Sequence, residues 1–365
     1  MTITQRLSRV FSAEGAVMAA VLVAMILFFT VKSPFFMTTK NIDALLVEST
    51  FIVLLAGGMT FVLIVGGIDL SVGSVLGLSA ATTLWALMSG WPLGAGILAG
   101  IATGAAAGLI NGGIIAYLGV NAFIVTLAML SITAGLLEVL TSKVQLTGVK
   151  DSAFLSMTAG RVLGIPTAVV IAAVVIVALE FVLVYTPFGR SVFASGIGPR
   201  AAALAGVPVR RTRLQVYVLS GALAGTAGVL LASHLNSVQP GLGGGYELTA
   251  IAAAVIGGIS LAGGRGSVWR AVLGALFLGV LSNGLNLLGV DPLWFTIVTG
   301  LSIVAAVALD RLVQRLALIG LLGSAGEPPV AAAGVAASAG AGIGSSSQRS
   351  LTSDAGSSHL GTEPK

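Results

Sequence analysis

Residues 51–87 carry a single charged side chain, Asp69. A run this apolar holds nearly two bilayer crossings at about 20 residues each. In hydrocarbon the backbone must satisfy its own hydrogen bonds, so helices are required. Similar runs lie on both sides of one polar island at residues 186–213. The chain is 56% hydrophobic and 8% charged, with mean hydropathy +1.05; soluble domains have about a quarter charged residues. These observations define an all-α, polytopic transmembrane bundle.

Ten spans are expected, at about residues 15–31, 44–67, 70–90, 93–117, 122–141, 164–185, 214–234, 248–262, 268–288 and 293–309. Both termini are then cytoplasmic. Cytoplasmic segments hold Arg6, Arg9, Arg190, Arg200, Arg210, Arg211, Arg213, Arg265, Arg270, Arg311 and Arg315. The outer segments hold Lys32, Lys40, Lys143, Lys150 and Arg161, and this asymmetry is the positive-inside bias. The organisation is a membrane domain over residues 1–320, with the island as a cytoplasmic loop, and an Ala/Gly/Ser-rich tail at 321–365. The tail has too little apolar bulk to offset chain entropy and is expected to be disordered in the cytoplasm.

Several function classes are excluded. There is no cysteine, and His234 and His359 are isolated, so neither disulfides nor a metal centre are expected. No G-x-x-x-x-G-K-[ST] loop is present, so the chain has no ATP site of that kind, and no nucleophile–base–orienter set is visible. The net charge of +5 is explained by topology rather than by a nucleic-acid partner. No catalytic residue, bound cofactor or metal is expected, and the lipid bilayer is the first partner. A conduit for solute is the expected role.

Polar residues inside the spans are the candidates for that role. Asp69 is flanked by Gly66, Gly67, Ser71 and Gly73, which can unwind a helix and turn backbone groups towards a cavity. Two readings stand: Asp69 orients a polar solute, or it caps the helix that begins near Leu70. Glu48 is expected to face the bundle interior, and Asn121 and Asn111 flank a short connection. Glu138, Glu180 and Glu247 lie near span ends and read as interfacial. Gly96, Gly100, Gly104, Gly108 and Gly112 repeat every four residues and make a smooth face for a neighbouring helix, as do Gly221 and Gly225 on a smaller scale. Gly66-Gly67-Ile68-Asp69-Leu70-Ser71-Val72-Gly73 is echoed by Gly257-Gly258-Ile259-Ser260-Leu261-Ala262-Gly263-Gly264, a hint of internal duplication.

The island carries Arg190, Arg200, Arg210, Arg211 and Arg213 and no acid. Pro199 suits the first position of a helix and Gly206 its end, which leaves Arg200 to Ala205 as one or two turns. A short helix between spans on the Arg-rich side has the form of a docking element; an ordinary positive-inside loop is the plainer reading.

The stretch from Gly66 to Ser74 resembles a signature of permease subunits of bacterial ribose/xylose/galactoside-type ABC importers. Val120-Asn121-Ala122-Phe123-Ile124-Val125-Thr126-Leu127, the Gly257–Ser267 stretch and the stretch from Leu273 to Gly284 resemble further motifs, in the family's order. The resemblance spans about residues 15–315. It implies that the island docks on a separate ATPase subunit through a pattern like G-x-N-x-x-A-A-x-x-x-G. Gly196, Gly198, Ala201, Ala202 and Gly206 match its positions, with Pro199, Arg200, Leu204 and Ala205 between them. Gly198 stands where that pattern has Asn, and Pro199-Arg200 replace a more polar, often acidic pair. Trp294-Phe295 differs from the family's Trp-Gln. The resemblance also implies ATP use by the partner, an extracytoplasmic solute-binding protein, and a second permease copy or paralogue in a dimer. The solute implied is a monosaccharide. Rival readings are a permease for branched-chain amino acids, nucleosides or a signalling furanose, a proton-coupled carrier using Asp69 or Glu48, and a membrane scaffold without transport.

Overall fold

A computed structural model describes residues 13–291 and, beyond them, Trp294, Ile297, Gly300, Leu301 and Val304, with side chains from Met18 onward. The expected tenth span is therefore described only at those five positions. Arg6, Arg9, Arg311, Arg315 and the tail at 321–365 lie outside the described residues.

The described residues form twelve helices: α1 (Ala13–Lys32), α2 (Thr39–Ile64), α3 (Val72–Met88), α4 (Leu93–Gly113), α5 (Ala122–Thr141), α6 (Ser152–Ala159), α7 (Thr167–Tyr185), α8 (Pro187–Ile197), α9 (Pro199–Leu204), α10 (Val209–Leu235), α11 (Tyr246–Ile256) and α12 (Val268–Leu287). A π-helical turn, Ile114–Leu118, extends α4. Two antiparallel ladders of two residues per strand add to these: β1 (Leu146–Thr147) pairs with β4 (Ser237–Val238), and β2 (Arg161–Val162) with β3 (Ile165–Pro166). Six helices are long and apolar enough to cross a membrane: α2, α4 with its π turn, α5, α7, α10 and α12. The apolar part of α1 (Met18–Lys32), α3 and α11 are shorter. The expected span at 248–262 ends early, at Ile256. Gly258 takes a left-handed φ of +82° there, and its N–H and that of Ile259 bond back to Val255 and Ala254.

Helices α2 and α10 form the centre. Their most apolar stretches are 89% and 78% buried, against 28–39% for α4, α5, α7 and α12, whose outer faces are left for lipid or partners. The close approach of α4 to α10 follows from the glycine repeat. A Cβ on Gly104 would land on the Gly221 carbonyl oxygen, and one on Gly108 on that of Tyr217. Contact at this range gathers dispersion energy along the whole seam without a bulky side chain.

Charged and polar side chains tie the outer helices to this centre. Asn41 and Asn283 exchange two amide hydrogen bonds of 2.9 Å, fixing α2 to α12. Arg161 pairs with Asp43. Glu180 is not interfacial as its position suggested: it is buried, accepting from the Ser267 hydroxyl at 3.0 Å and from Val268 N–H at 2.8 Å. It caps α12 from a neighbouring helix, at an N-terminus where Ser267 makes no side-chain cap of its own. Arg270 donates to the carbonyls of Gly257 and Gly258 at 2.9 and 2.8 Å and closes the end of α11.

Gly104→Val places two methyl groups in the α4–α10 seam. We expect a loss of about 1–3 kcal/mol, read as a lower melting temperature in mild detergent. Gly94→Val, where a Cβ meets nothing within 4 Å, is the control and should leave the melt unchanged.

Candidate functional site

The chain leaves α2 at Ile64 and turns on Gly66, whose φ is +77°. Gly66 and Gly67 N–H groups close the helix on the carbonyls of Leu63 and Val62 at 2.9 Å each. The next five residues, 67–71, run back into the bundle before α3 begins at Val72. Non-helical backbone of this kind persists in a membrane protein only where protein groups pair it. Here the Ile68 carbonyl accepts from the Tyr217 hydroxyl at 3.2 Å and the Thr126 hydroxyl at 3.4 Å.

Asp69 lies at the centre of this break and is 1% exposed. Its Oδ1 accepts from Ser71 N–H at 3.0 Å and from the Ser71 hydroxyl at 2.6 Å, while Oδ2 accepts from the Ser220 hydroxyl on α10 at 3.2 Å. Asn111 on α4 donates to Ser71 Oγ at 3.0 Å, and Thr133 on α5 donates to Ser74 Oγ at 2.7 Å. One carboxylate thus organises the start of α3 and links it to α10, and through Ser71 to α4. The geometry is that of an Asx turn leading into a helix. Both carboxylate oxygens are engaged inside the protein, so Asp69 has no free face to offer a solute in this conformation.

The other candidates fall elsewhere. Glu48 is exposed on α2 rather than turned into the bundle interior, because the inward face of that helix is taken by Val47, Phe51 and Leu54. Asn121 is also exposed; its Oδ1 accepts from Phe123 N–H at 2.9 Å and caps α5. The sequence offered cap-type residues at both Asp69 and Asn121, but the pairing of Asp69 with Ser220, 151 positions away, has no local signal.

The polar island folds as α8 and α9. Thr186 caps α8, accepting from Gly189 N–H at 3.2 Å, and Pro187 occupies its first position. Pro199 opens α9, and Gly206, with φ +83°, closes it. Gly198 precedes it in an extended conformation (φ −166°) that any residue can adopt. Within α9, Ala202 is buried and anchors the helix, whereas Arg200, Ala201, Ala203 and Leu204 face outward, Leu204 with 91% exposure. Ile197, just before it, is 77% exposed.

The end of α8 and the break after α2 meet in one backbone junction. Gly196 packs so closely on the Ile64 carbonyl that an added Cβ would overlap the oxygen. The same carbonyl accepts from Gly264 N–H at 2.8 Å. Gly263 lies alongside, where an added Cβ would be 3.1 Å from Ile64 O and 3.2 Å from Gly66 Cα. Three segments therefore touch through main chain: the α2 break, the end of α8, and the loop between α11 and α12. Main-chain contact has no side-chain slack, so the end of α8 and the turn that leads into Asp69 are held in fixed register. Among the described residues, no group of three His, Asp or Glu side chains is placed to hold a metal ion.

Residues 41–307 match the family model described as "Branched-chain amino acid transport system / permease component". The chain belongs to this permease family. Relatives extend the match. The D-allose transport system permease protein AlsC of Escherichia coli is 37% identical over 297 residues, covering 81% of this chain and 90% of that protein. The ribose import permease protein RbsC of Bacillus subtilis is 40% identical over 288 residues, 79% and 89% of the two chains. The L-arabinose transport system permease protein AraH of Escherichia coli is 38% identical over 282 residues, 77% and 86%. No solved structure matches. The permease is thus a multi-pass membrane transport subunit, and ATP hydrolysis belongs to another component of its system.

If Asp69 is a structural centre, Asp69→Asn keeps the Oδ1 acceptor and should retain solute uptake within a few-fold. Asp69→Ala leaves Ser71 N–H and the Ser220 hydroxyl without it and should cost about 1–3 kcal/mol, seen as a lower melting temperature. Loss of uptake in Asp69→Asn with an unchanged melt would assign Asp69 to the solute path instead.

Proposed function

We propose that the permease moves a monosaccharide of the ribose, allose or arabinose type across the bacterial cytoplasmic membrane, as the membrane-spanning part of an ABC importer. The observation that carries this reading is 37–40% identity, over about four-fifths of the chain, to permeases whose names give D-allose, ribose and L-arabinose. The family description names branched-chain amino acids, but the relatives favour sugars. The proton-coupled alternative is disfavoured by Asp69, whose carboxylate is enclosed and fully engaged.

In this reading the membrane domain covers residues 1–320 with ten spans and cytoplasmic termini, and 321–365 is a cytoplasmic tail. Two permease chains, identical or paralogous, carry two ATPase subunits inside and receive sugar from a binding protein outside. Residues 186–213 form the ATPase-docking loop, with α9 its contact. Support comes from the composition of that surface: Leu204 and Ile197 are large apolar side chains left exposed at the Arg-rich end, bordered by Arg200, Arg210 and Arg211. An exposed apolar pair within a positive rim suits a protein partner with an apolar cleft and acidic edges. ATP-driven movement of the ATPases would displace α8 and α9, and the junction at Ile64 would carry that displacement into the broken helix.

Leu204→Asp removes the apolar contact from a side chain that is 91% exposed. We expect normal membrane insertion and melting temperature, loss of the co-purifying ATPase, and at least tenfold lower sugar uptake. Ala202→Asp, by contrast, buries a carboxylate under α9 and should also lower the melt. Full ATPase recovery with Leu204→Asp would remove α9 from the docking surface.

A further inference from the structure

Between α10 and α11 the chain runs through Pro240-Gly241-Leu242-Gly243-Gly244-Gly245, with left-handed φ at Gly241 (+81°), Gly243 (+93°) and Gly245 (+91°). This loop is pressed backbone to backbone on the start of α3. A Cβ on Gly243 would overlap the Gly73 carbonyl oxygen, and one on Gly77 that of Leu242. Helix α11 has only 11 residues, rising about 16 Å, or half of a bilayer core of about 30 Å. Its far end adjoins the Gly263–Gly264 loop at the Arg-rich face, so its beginning, with the half-buried Glu247, lies about half-way across the bilayer core rather than at an interface.

Glu247 is incompletely paired there. Its Oε1 accepts from Gly245 N–H at 3.1 Å, while Oε2 is buried against Gly73 with no hydrogen-bond partner. A cavity of about 130 Å³ adjoins it, lined by Ser74, Leu130, Ala134, Leu137, Leu242 and Glu247, with Gly241 and Gly244. At about 30 Å³ per molecule this is room for roughly four waters. One carboxylate and one hydroxyl stand opposite leucine and alanine surfaces. A carboxylate accepts hydrogen bonds only, and inside a membrane it is costly, so one left incompletely paired points to a functional site.

We propose that Glu247, supported by Ser74, is a sugar-contacting station inside the membrane, a role that rests on the monosaccharide reading above. When the loop opens, the Glu247 oxygen packed on Gly73 accepts hydrogen bonds from hydroxyls of the passing sugar. Ser74 Oγ, which donates to the Ser71 carbonyl at 3.0 Å and accepts from Thr133, keeps a lone pair for another hydroxyl. Leu130, Leu137 and Leu242 cover the sugar's C–H face. The described conformation is the narrow state of the station, and the three left-handed glycines are where the loop opens. Ser74 is three residues from Ser71, so the station is coupled to the Asp69 network and through it to the junction under α8.

The experiment measures uptake by cells carrying the whole importer. D-ribose, D-allose and L-arabinose are tested first, and then singly deoxygenated analogues of whichever sugar is taken up. Glu247→Gln keeps the volume and the Oε1-type acceptor that caps α11, and removes the charge. Assembly is checked by the amount of ATPase that co-purifies. The expected result is at least a tenfold fall in uptake of the parent sugar at unchanged assembly. The preference for the parent over one particular deoxy analogue should also collapse towards one. Parent uptake within twofold of the unmodified chain, with the analogue preference intact, would overturn the proposal and leave Glu247 as a helix cap. A fall in uptake that is equal for the parent and every analogue would overturn it too, since a structural defect does not discriminate among hydroxyls. Failure of the unmodified importer to take up any of the three sugars would appear before any variant is made, and would count against the transport reading itself.

Discussion

Backbone polar groups have no water to bond with inside a bilayer, and among the described residues the fold interrupts its helices there at two places. One break follows Ile64 and the other precedes Tyr246. Each exposed carbonyl or N–H left unpaired in hydrocarbon costs several kcal/mol, so the breaks can exist only where other segments close on them. The Ile64 carbonyl is the point where this closure is most concentrated. It ends α2, accepts Gly264 N–H, and has Gly196 packed over it. A side chain at position 196 would separate the three segments and leave the carbonyl without its cover. The tight main-chain contact that makes the break affordable also makes it a rigid coupling.

The end of α2, where the first break begins, is locally like the end of α11. After Ile64 and after Ile256 the chain makes the same left-handed closure, with Gly66 and Gly258 in equivalent places and N–H groups returning to the third and second residues from the helix end. The sequence echo pairs Gly66 with Gly257, one residue out of step with this structural equivalence. The connections then differ. Five residues separate Gly66 from α3 and use an internal carboxylate, Asp69, to restart the helix. Nine residues separate Gly258 from α12, and the restart is capped from outside by Glu180. Both solutions place an anion at the positive end of a helix dipole, but only one of them is local.

That difference explains what could be read before the structure was known. The membrane class, the α9 boundaries at Pro199 and Gly206, and the close packing along Gly96 to Gly112 depend on composition or on neighbours within a turn or two, and these were legible. Asp69 as a residue beside a helix start was legible as one of two readings, through its glycines and Ser71. Glu180 was not, because its partners are Ser267 and Val268 on another helix, and a lone acid near a span end looks the same whether it meets headgroups or a helix N-terminus. The outward placement of Glu48 and the depth of Glu247 were hidden for a related reason. Hydropathy reports how apolar a stretch is, not whether an eleven-residue helix starts at the surface or halfway down.

The charged side chains singled out above are unevenly satisfied, and the imbalance has a direction. Near the Arg-rich end, Asp69, Glu180 and Arg270 are engaged by fixed partners, which suits elements that must move as units when the loop above them is pushed. Deeper in the bundle, Glu247 keeps an unpaired oxygen beside a small cavity, next to a loop whose glycines permit rearrangement. A transport path needs polar groups that can exchange partners, since a site that is fully satisfied without solute has nothing to gain from binding it. Rigid pairing at the coupling end and incomplete pairing in the interior are therefore complementary requirements. The Ser71–Ser74 turn, bonded to Asp69 on one side and lining the cavity on the other, is the short stretch where the two regimes meet.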